Sequence, residues 1–99
     1  MNLLQETIEA LQQNNLTISD IEYVMDGESY TMWHDFALKA VEVDYDEGYG
    51  KQEINHKLVV MLRNGWLERR EYDGSEDWIY KLAPVKPKVQ QSLQLWEGR

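Results

Sequence analysis

Four acidic residues in the middle of the chain have the spacing of a calcium-binding loop. They fall on positions 1, 3, 5 and 12 of a twelve-residue window, where an EF-hand loop places oxygen ligands: Glu42, Asp44, Asp46 and Glu53. Such a loop needs glycine at position 6 for its sharp turn, and this chain has Glu47 there. The sequence therefore predicts a solvated acidic loop and no metal ion.

The remaining residue types give no catalytic constellation. His34 and His56 are the only histidines, the chain has no cysteine, and neither histidine has a second ligand at the spacing of a zinc site. The sequence contains neither a G-x-S-x-G nucleophile motif nor a glycine-rich phosphate loop. We therefore predict no catalytic residue, no cofactor and no enzymatic activity.

Side chains typical of protein interfaces are more informative. Tyrosine, tryptophan and arginine are enriched at the energetic centres of interfaces because they combine a large apolar body with a polar group. These types, with the acids of the central loop, predict a protein-interaction surface made of Asp44, Asp46, Glu47, Tyr49, Trp66, Arg69, Tyr72 and Trp78. The alternative is that most of the aromatic side chains are half-buried in the core.

The N-terminal half must position these residues with two helices and a hairpin. Residues 2–13 carry apolar side chains at i, i+4 and i+7, and residues 33–42 place four apolar side chains on one helical face. Between them, residues 18–26 are rich in β-branched and aromatic types and predict a strand. Asp26-Gly27 is a hairpin signal that leads to a return strand over residues 28–32.

The C-terminal half predicts a three-stranded antiparallel meander. Residues 58–62 are a continuous apolar run followed by Asn64-Gly65, a pair typical of type I′ turns. Two further strands, over residues 66–72 and 77–83, flank a loop of two or four residues. A two-residue turn at Asn64-Gly65 pairs Leu62 with Leu67.

This register sorts the side chains of the meander into two faces. The face directed at the helices collects Leu58, Val60, Leu62, Leu67, Arg69, Glu71, Trp78, Tyr80 and Leu82. The opposite face collects Lys57, Val59, Met61, Arg63, Trp66, Glu68, Arg70, Ile79 and Lys81. Because turn chemistry and face polarity agree, the meander is the strongest part of the fold prediction.

Arg69 is the charged residue in the middle of the apolar face, where it pairs with Val60. An arginine cannot lose its proton to escape burial, so the fold must supply a partner. We expect its guanidinium to lie on the ring of Trp78 or Tyr80, with a carboxylate from Glu71 or from the acids at positions 44, 46 and 47. The alternative is that Arg69 projects from the rim of the sheet toward a ligand.

On the opposite face, Trp66 lies beside Val59, Met61 and Ile79 and completes an apolar patch. Such a patch is either covered by the C-terminal segment or binds a partner. Residues 85–99 follow the sheet and have an apolar stripe at i, i+4 and i+7, formed by Val89, Leu93 and Trp96. They predict a short helical tail that buries its stripe against the same chain or joins two copies in a homodimer.

The elements together predict a single α+β domain over residues 1–99. It has an N-terminal helix over 1–14, a core over 17–84 with a central helix on an antiparallel sheet of about five strands, and the C-terminal helical tail over 85–99. The competing architecture is a winged helix, in which residues 52–63 form the recognition helix and the following hairpin is the wing. Its would-be recognition helix has few bases, and Val59-Val60 is a poor helix pair.

Charge points to a protein partner. The formal net charge is −8, and residues 17–53 hold ten acids against two bases. A strongly acidic surface repels nucleic acid phosphates and suits a basic partner. The alternative is that the acids only keep a small domain soluble. The sequence has no apolar run of membrane-spanning length and no signal-peptide pattern at its start, so we expect a cytoplasmic protein.

A family resemblance accompanies these patterns. The chain resembles small uncharacterised proteins of bacteriophages and prophages over about residues 20–84, through Tyr45-Asp46-Glu47-Gly48-Tyr49-Gly50, Ile54, Leu58-Val59-Val60, Trp66-Leu67-Glu68-Arg69, Glu71-Tyr72-Asp73-Gly74-Ser75-Glu76, Trp78 and Pro84. Relatives tend to have a further tryptophan beside those at 66 and 78; here the neighbours are Gly65 and Asp77, which leaves a smaller aromatic surface.

The resemblance implies a phage or prophage accessory protein in a bacterial host and no catalytic residue. With the charge pattern it predicts a non-enzymatic protein that binds a host or phage protein. One concrete version is an acidic inhibitor of a host nucleic-acid-binding system. The alternative function is a winged-helix transcriptional regulator that binds DNA.

Overall fold

A five-stranded antiparallel sheet carries two helices on one face. The structure is a computed structural model that describes residues 1–46, 48 and 50–98. In chain order the elements are α1 (Leu3–Gln13), a 3₁₀ turn (Ile18–Asp20), β1 (Ile21–Met25), β2 (Tyr30–Thr31), α2 (Trp33–Ala40), β3 (Val59–Leu62), β4 (Gly65–Tyr72) and β5 (Ser75–Leu82). The predicted α+β class and its sheet of about five strands are confirmed.

Helix α1 is bounded by asparagines. The Asn2 side chain accepts a hydrogen bond from the backbone N–H of Gln5 at 3.1 Å, which satisfies one of the free donors at the helix start. After the helix, Asn15 adopts a left-handed backbone with φ of 58° and turns the chain away. The apolar face between these ends buries Leu3 and Leu11 against the sheet.

The strands are ordered β2-β1-β3-β4-β5, so β3 lies at the centre with β1 on one side and β4 on the other. Alternate side chains of the strands point at the helices, and among them Val60 and Leu67 are fully buried. Phe36 and Ala40 of α2 complete the same core cluster. The predicted assignment of the meander residues to two faces is therefore confirmed.

The turn between β3 and β4 lies one residue earlier than the sequence predicts. Val60 pairs with Leu67 and not with Arg69, so Arg63-Asn64 connects the strands and β4 begins at Gly65. The predicted pairing is thus wrong by two residues. A slip of two residues leaves every side chain on its own face, which is why the face prediction survives the error.

Gly65 is required for close packing rather than for a turn. Its φ is outside the left-handed region, and an added Cβ would lie 2.2 Å from the carbonyl oxygen of Lys81 on β5. The second hairpin does contain a two-residue turn, since Asp73 and Gly74 have φ of 52° and 85°. Positive φ at both positions is typical of a type I′ turn.

The winged-helix architecture is wrong. It needs one helix over residues 52–63, and residues 59–62 are instead the central strand, paired with both β1 and β4. The adjacent β-branched side chains of Val59 and Val60 favour this extended conformation, because their restricted rotamers pack well on a pleated surface.

The predicted helical tail is not formed. Residues 83–98, called the tail below, contain no helix, and the three side chains of the predicted stripe are 66–82% exposed: Val89, Leu93 and Trp96. An isolated helix shorter than about 12–15 residues is marginal in water unless its apolar face packs on something. The tail contributes to a radius of gyration of 16.5 Å, against about 13 Å for a compact chain of this length.

Candidate functional site

Arg69 lies at the centre of a buried polar cluster between α1 and the sheet. Its Nη1 donates to Glu6 Oε1 at 2.8 Å, and its Nη2 donates to Glu76 Oε1 at 2.9 Å and to the Tyr45 hydroxyl at 3.0 Å. The guanidinium carbon lies 4.7 Å from the centre of the Trp78 ring. We call the four polar residues, Glu6, Tyr45, Arg69 and Glu76, the Arg69 cluster.

Both carboxylates of the cluster accept further hydrogen bonds. The Tyr45 hydroxyl donates to Glu6 Oε2 at 2.6 Å. Glu76 accepts from the backbone N–H groups of Glu53 at 2.6 Å and Ile54 at 3.2 Å. The cluster therefore ties together helix α1, the loop after α2, the segment before β3 and the β4–β5 hairpin.

The environment of the guanidinium keeps it charged. Burial by itself lowers the pKa of Arg69, but hydrogen bonds to Tyr45 and Glu6 outweigh that effect, so the pKa lies above its usual value. Among the described residues, its Nε is the one buried side-chain nitrogen or oxygen atom without a hydrogen-bond partner. Because the side chain is fully buried, we read the cluster as a structural device and not as a ligand site.

The expected partners of Arg69 are corrected in part. Its burial and its position over Trp78 are confirmed, but Glu71 is exposed and accepts a hydrogen bond at the β4–β5 turn instead. The predicted strand bounds place Glu76 in the loop before the third strand of the meander, whereas it is the second residue of β5 and faces the helices. Glu6 lies 63 positions away along the chain, and no local pattern connects it to Arg69.

Stability at alkaline pH depends on the Tyr45 hydroxyl. Burial raises the pKa of Tyr45 well above its ordinary value of 10.0, and its hydrogen bond to Glu6 raises the pKa further. Above about pH 10 the unfolded chain releases this proton while the folded chain retains it, so the free energy of unfolding should fall as pH rises. Urea titrations at several pH values above about 10 should show that the free energy of unfolding declines less steeply with pH for Tyr45→Phe than for the wild-type chain. Equal declines in the two chains would contradict the role given to the Tyr45 hydroxyl.

The other face of the sheet is apolar, and neither helix covers it. Tyr23 pairs with Met61, Met61 pairs with Trp66, and Met25 pairs with both Val59 and Tyr30, so these side chains share one face. Ile79 on β5 extends the same surface. We define the outer face as Tyr23, Met25, Tyr30, Val59, Met61, Trp66 and Ile79; Tyr30 is 72% exposed and the others are half-buried.

Charged side chains on this side of the sheet pair with one another. Glu68 accepts a hydrogen bond from the Trp66 indole at 2.8 Å and lies 3.5 Å from the Lys81 ammonium. Arg70 and Asp77 form a bidentate pair with distances of 3.0 and 2.7 Å. Glu68 and Asp77 therefore each have a base beside them.

An open groove of about 560 Å³ marks the β1–β2 end of the outer face. The rings of Tyr23 and Tyr30 line it, edge to face with centroids 5.8 Å apart, and Glu28 stands at its border. In the same turn, the backbone N–H groups of Ser29 and Glu28 donate to the Asp26 carboxylate and lower its pKa. This end of the outer face therefore combines aromatic surface with the carboxylates of Asp26 and Glu28, and Lys57 adds one positive charge near Asp26.

The predicted interface residues of the hairpin are separated by the structure. Trp66 lies in the outer face, and Tyr72 is 80% exposed at the β4–β5 turn. Arg69 and Trp78 are buried on the opposite side of the sheet, where a partner cannot reach them.

The predicted interface residues of the acidic loop lie elsewhere again. Asp44 is exposed and accepts a hydrogen bond from the side chain of Asn2, and Asp46 accepts one from the backbone N–H of Gly48. Glu47 and Tyr49 lie outside the described residues. The described members of the predicted set therefore do not assemble into one surface.

Three outer-face residues were missed by the sequence analysis: Tyr23, Met25 and Tyr30. The signal that could have found the first two is their alternation around Val24, which is buried. Their contact with the meander depends on the pairing of β1 with β3, across a bulge at Glu22, and no local sequence pattern specifies that pairing.

Comparison with known proteins gives no relative for this chain: no protein-family model, no curated protein and no solved structure matches it. Within the described residues, no group of three or more acidic or histidine side chains could hold a metal ion. None of the described helices is long and apolar enough to cross a membrane. The resemblance to phage proteins stays a prediction.

Proposed function

We propose that this protein is a non-enzymatic binding module that contacts another protein through its outer face. The observation that carries the proposal is the outer face itself, to which all five strands contribute apolar side chains and over which neither helix lies. Contiguous apolar patches of this kind usually mark interaction sites in soluble chains. Tyrosine, tryptophan and methionine, which supply most of it, are also enriched at interface centres.

The partner that we propose is a basic protein. The tyrosine-lined groove is bordered by Glu28, with Asp26 in the same turn, and the chain as a whole carries a net charge of −8. An apolar anchor flanked by lysine or arginine fits such a groove, because the cation gains from both the carboxylates and the faces of the tyrosine rings. A protein that normally binds nucleic acid has such a surface, so an inhibitor of a host nucleic-acid-binding system is the concrete form of the proposal.

The biological setting that we propose is that of a phage or prophage accessory protein in the cytoplasm of a bacterial host. It rests on the resemblance at residues 66–76 and on the acidic charge. The alternative of a DNA-binding regulator has less support, because a central strand occupies the position of its recognition helix. The acidic balance of the chain also opposes attraction to phosphates.

The test compares capture by two surface variants of the full chain. Met61→Arg places a charge in the middle of the outer face, whereas Leu38→Arg places the same charge at an exposed position of α2. We expect Leu38→Arg to retain a basic partner from host lysate and Met61→Arg to lose it, with both variants folded by circular dichroism. Direct titration with the purified partner should give a dissociation constant for Met61→Arg that is at least about tenfold larger than that of Leu38→Arg.

Two results would contradict the proposal. Equal capture by both variants would move the interface away from the outer face. Salt-dependent retention of duplex DNA by the wild-type chain, in the absence of any protein partner, would favour the regulator instead.

A further inference from the structure

The two edges of the sheet differ in length. Edge strand β2 has only two residues, whereas β5 pairs with β4 over all eight of its residues without a bulge. Short strands, prolines, bulges and charged side chains, lysine above all, are usual means by which an edge avoids pairing with another chain. Strand β5 is long and has no bulge and no proline before Pro84. Its outward charged side chains, Asp77 and Lys81, have opposite signs, so two copies of this edge can match rather than repel each other.

The turn before β5 fixes which of its backbone groups face outward. Tyr72 and Ser75 flank the Asp73-Gly74 turn and exchange both of their hydrogen bonds, so the odd-numbered residues of β5 bond to β4. The outward N–H and C=O groups therefore belong to Glu76, Trp78, Tyr80 and Leu82. No hydrogen bond joins these groups to any of the described residues.

The side chains of β5 are self-complementary in one antiparallel register. With Ile79 on a two-fold axis, Asp77 lies opposite Lys81 of a second copy, twice by symmetry, and Trp78 lies opposite Tyr80. With Trp78 or Tyr80 on the axis instead, a charged side chain faces Ile79. Opposite charges and aromatic pairs directly across two strands stabilise pairing, so the first register is preferred.

Helix α1 packs on β5, where the Trp78 indole donates to the Thr7 hydroxyl, and a groove remains between the two elements. This groove, of about 210 Å³, lies beside Asp77 and Trp78, with Glu9 and Gln13 on its helical side. In the preferred register it lies next to Tyr80 of the second copy. Leu82, which is 67% exposed in one chain, also lies within the paired strand.

We infer that β5 is a homodimerisation strand: two copies pair along it with Ile79 on the two-fold axis and form one ten-stranded antiparallel sheet. The partner at this edge is a second copy of this chain, and the contact differs from a dimer formed through the tail. The inference does not rest on the proposed function. It has a consequence for it, because the outer faces of the two copies become continuous across the axis.

A single introduced cysteine tests the position of the axis, since the natural chain has none. Facing residues at a non-hydrogen-bonded pair have Cα atoms about 4.5 Å apart, which is within disulfide range. We expect Ile79→Cys to form a covalent dimer under mild oxidation. Met61→Cys on the same face, two strands from the edge, should remain without a cross-link and serves as the matched control.

Sedimentation of the cysteine-free chain gives the second measurement. We expect a mass of about 24 kDa, twice the 11.8 kDa of one chain. Asp77→Lys should raise the dimer dissociation constant about tenfold, because it places like charges across the axis, and adding Lys81→Asp should restore dimerisation.

Three outcomes would overturn the inference. The first is that the chain sediments as a monomer at all concentrations. The second is that Met61→Cys forms a cross-link as efficiently as Ile79→Cys. The third is that the dimer is lost when residues 85–99 are removed. None of these outcomes bears on the proposed function, because the test of that function measures how Met61→Arg binds a different protein.

Discussion

Replacing Arg69 with alanine is expected to destabilise the fold by about 3–5 kcal/mol, the usual cost of removing one partner from a buried ion pair. The change leaves Glu6 and Glu76 buried without the guanidinium that bonds both of them. It also removes the cation over the Trp78 ring. Urea unfolding monitored by tryptophan fluorescence measures the loss directly.

The neighbouring arginine is the matched control. Arg70 lies on the opposite face of the same strand and pairs with Asp77, and both side chains are about half exposed. Surface pairs of this kind contribute little, so Arg70→Ala should unfold close to the wild-type denaturant concentration. Equal midpoints for the two alanine variants would contradict the placement of Arg69 in the core.

A second pair of variants separates charge from volume in the Arg69 cluster. Arg69→Met keeps most of the side-chain volume but leaves the two carboxylates without a counter-charge, so we expect it to remain strongly destabilising. Adding Glu6→Gln and Glu76→Gln should recover part of the loss, because the uncompensated charges are then gone. Additive effects of the three substitutions would mean that the residues do not act as one cluster.

Gly65→Ala is expected to cost about 1–3 kcal/mol or more, because the added methyl group overlaps backbone that cannot move aside easily. The new Cβ would lie 2.2 Å from the Lys81 carbonyl oxygen and 3.0 Å from Leu82 Cα. To relieve the overlap, β4 and β5 must separate at the end of their ladder. The measurement is again the free energy of unfolding from urea titration.

A substitution at Asn64 distinguishes close packing at Gly65 from the requirement of a type I′ turn. In a type I′ turn over Asn64-Gly65, both residues would need positive φ, and alanine would be unfavourable at either position. In the structure neither residue has positive φ, and Asn64 is exposed in the connection. Asn64→Ala should therefore be nearly neutral; a cost equal to that of Gly65→Ala would favour the turn.

The sequence predicts the elements of this fold well where a pattern is local. Helix α1, helix α2 and the strands of the meander follow from apolar periodicity, and side-chain alternation places Arg69 among apolar neighbours. The β3–β4 turn is predicted one residue too late, because a glycine after Asn64 is compatible with two different physical demands, a type I′ turn and close packing of two strands. Glycine is needed there for contact with Lys81, and no local feature distinguishes that need from a turn.

The candidate sites depend on contacts that local patterns do not contain. Glu6 reaches Arg69 from the first turn of α1, and Tyr45 enters the same cluster from a loop. The outer face likewise arises only because β1 pairs with β3, which brings Tyr23 beside Met61. Both results depend on strand order and helix docking, which are decided by the burial of the whole core.

The most direct test of the proposed binding surface uses the methionines of the chain as probes. Met25 and Met61 lie in the outer face, whereas Met1 lies at the N-terminus, whose amino group donates to the Tyr45 carbonyl oxygen. Nuclear magnetic resonance of methyl-labelled methionine, recorded as the captured basic partner is added, reports on these three positions and on Met32, the fourth methionine, at once. Shifts or broadening of the Met25 and Met61 signals with an unchanged Met1 signal are the result that we predict. Unchanged Met25 and Met61 signals in a saturated complex would contradict the outer face as the binding surface.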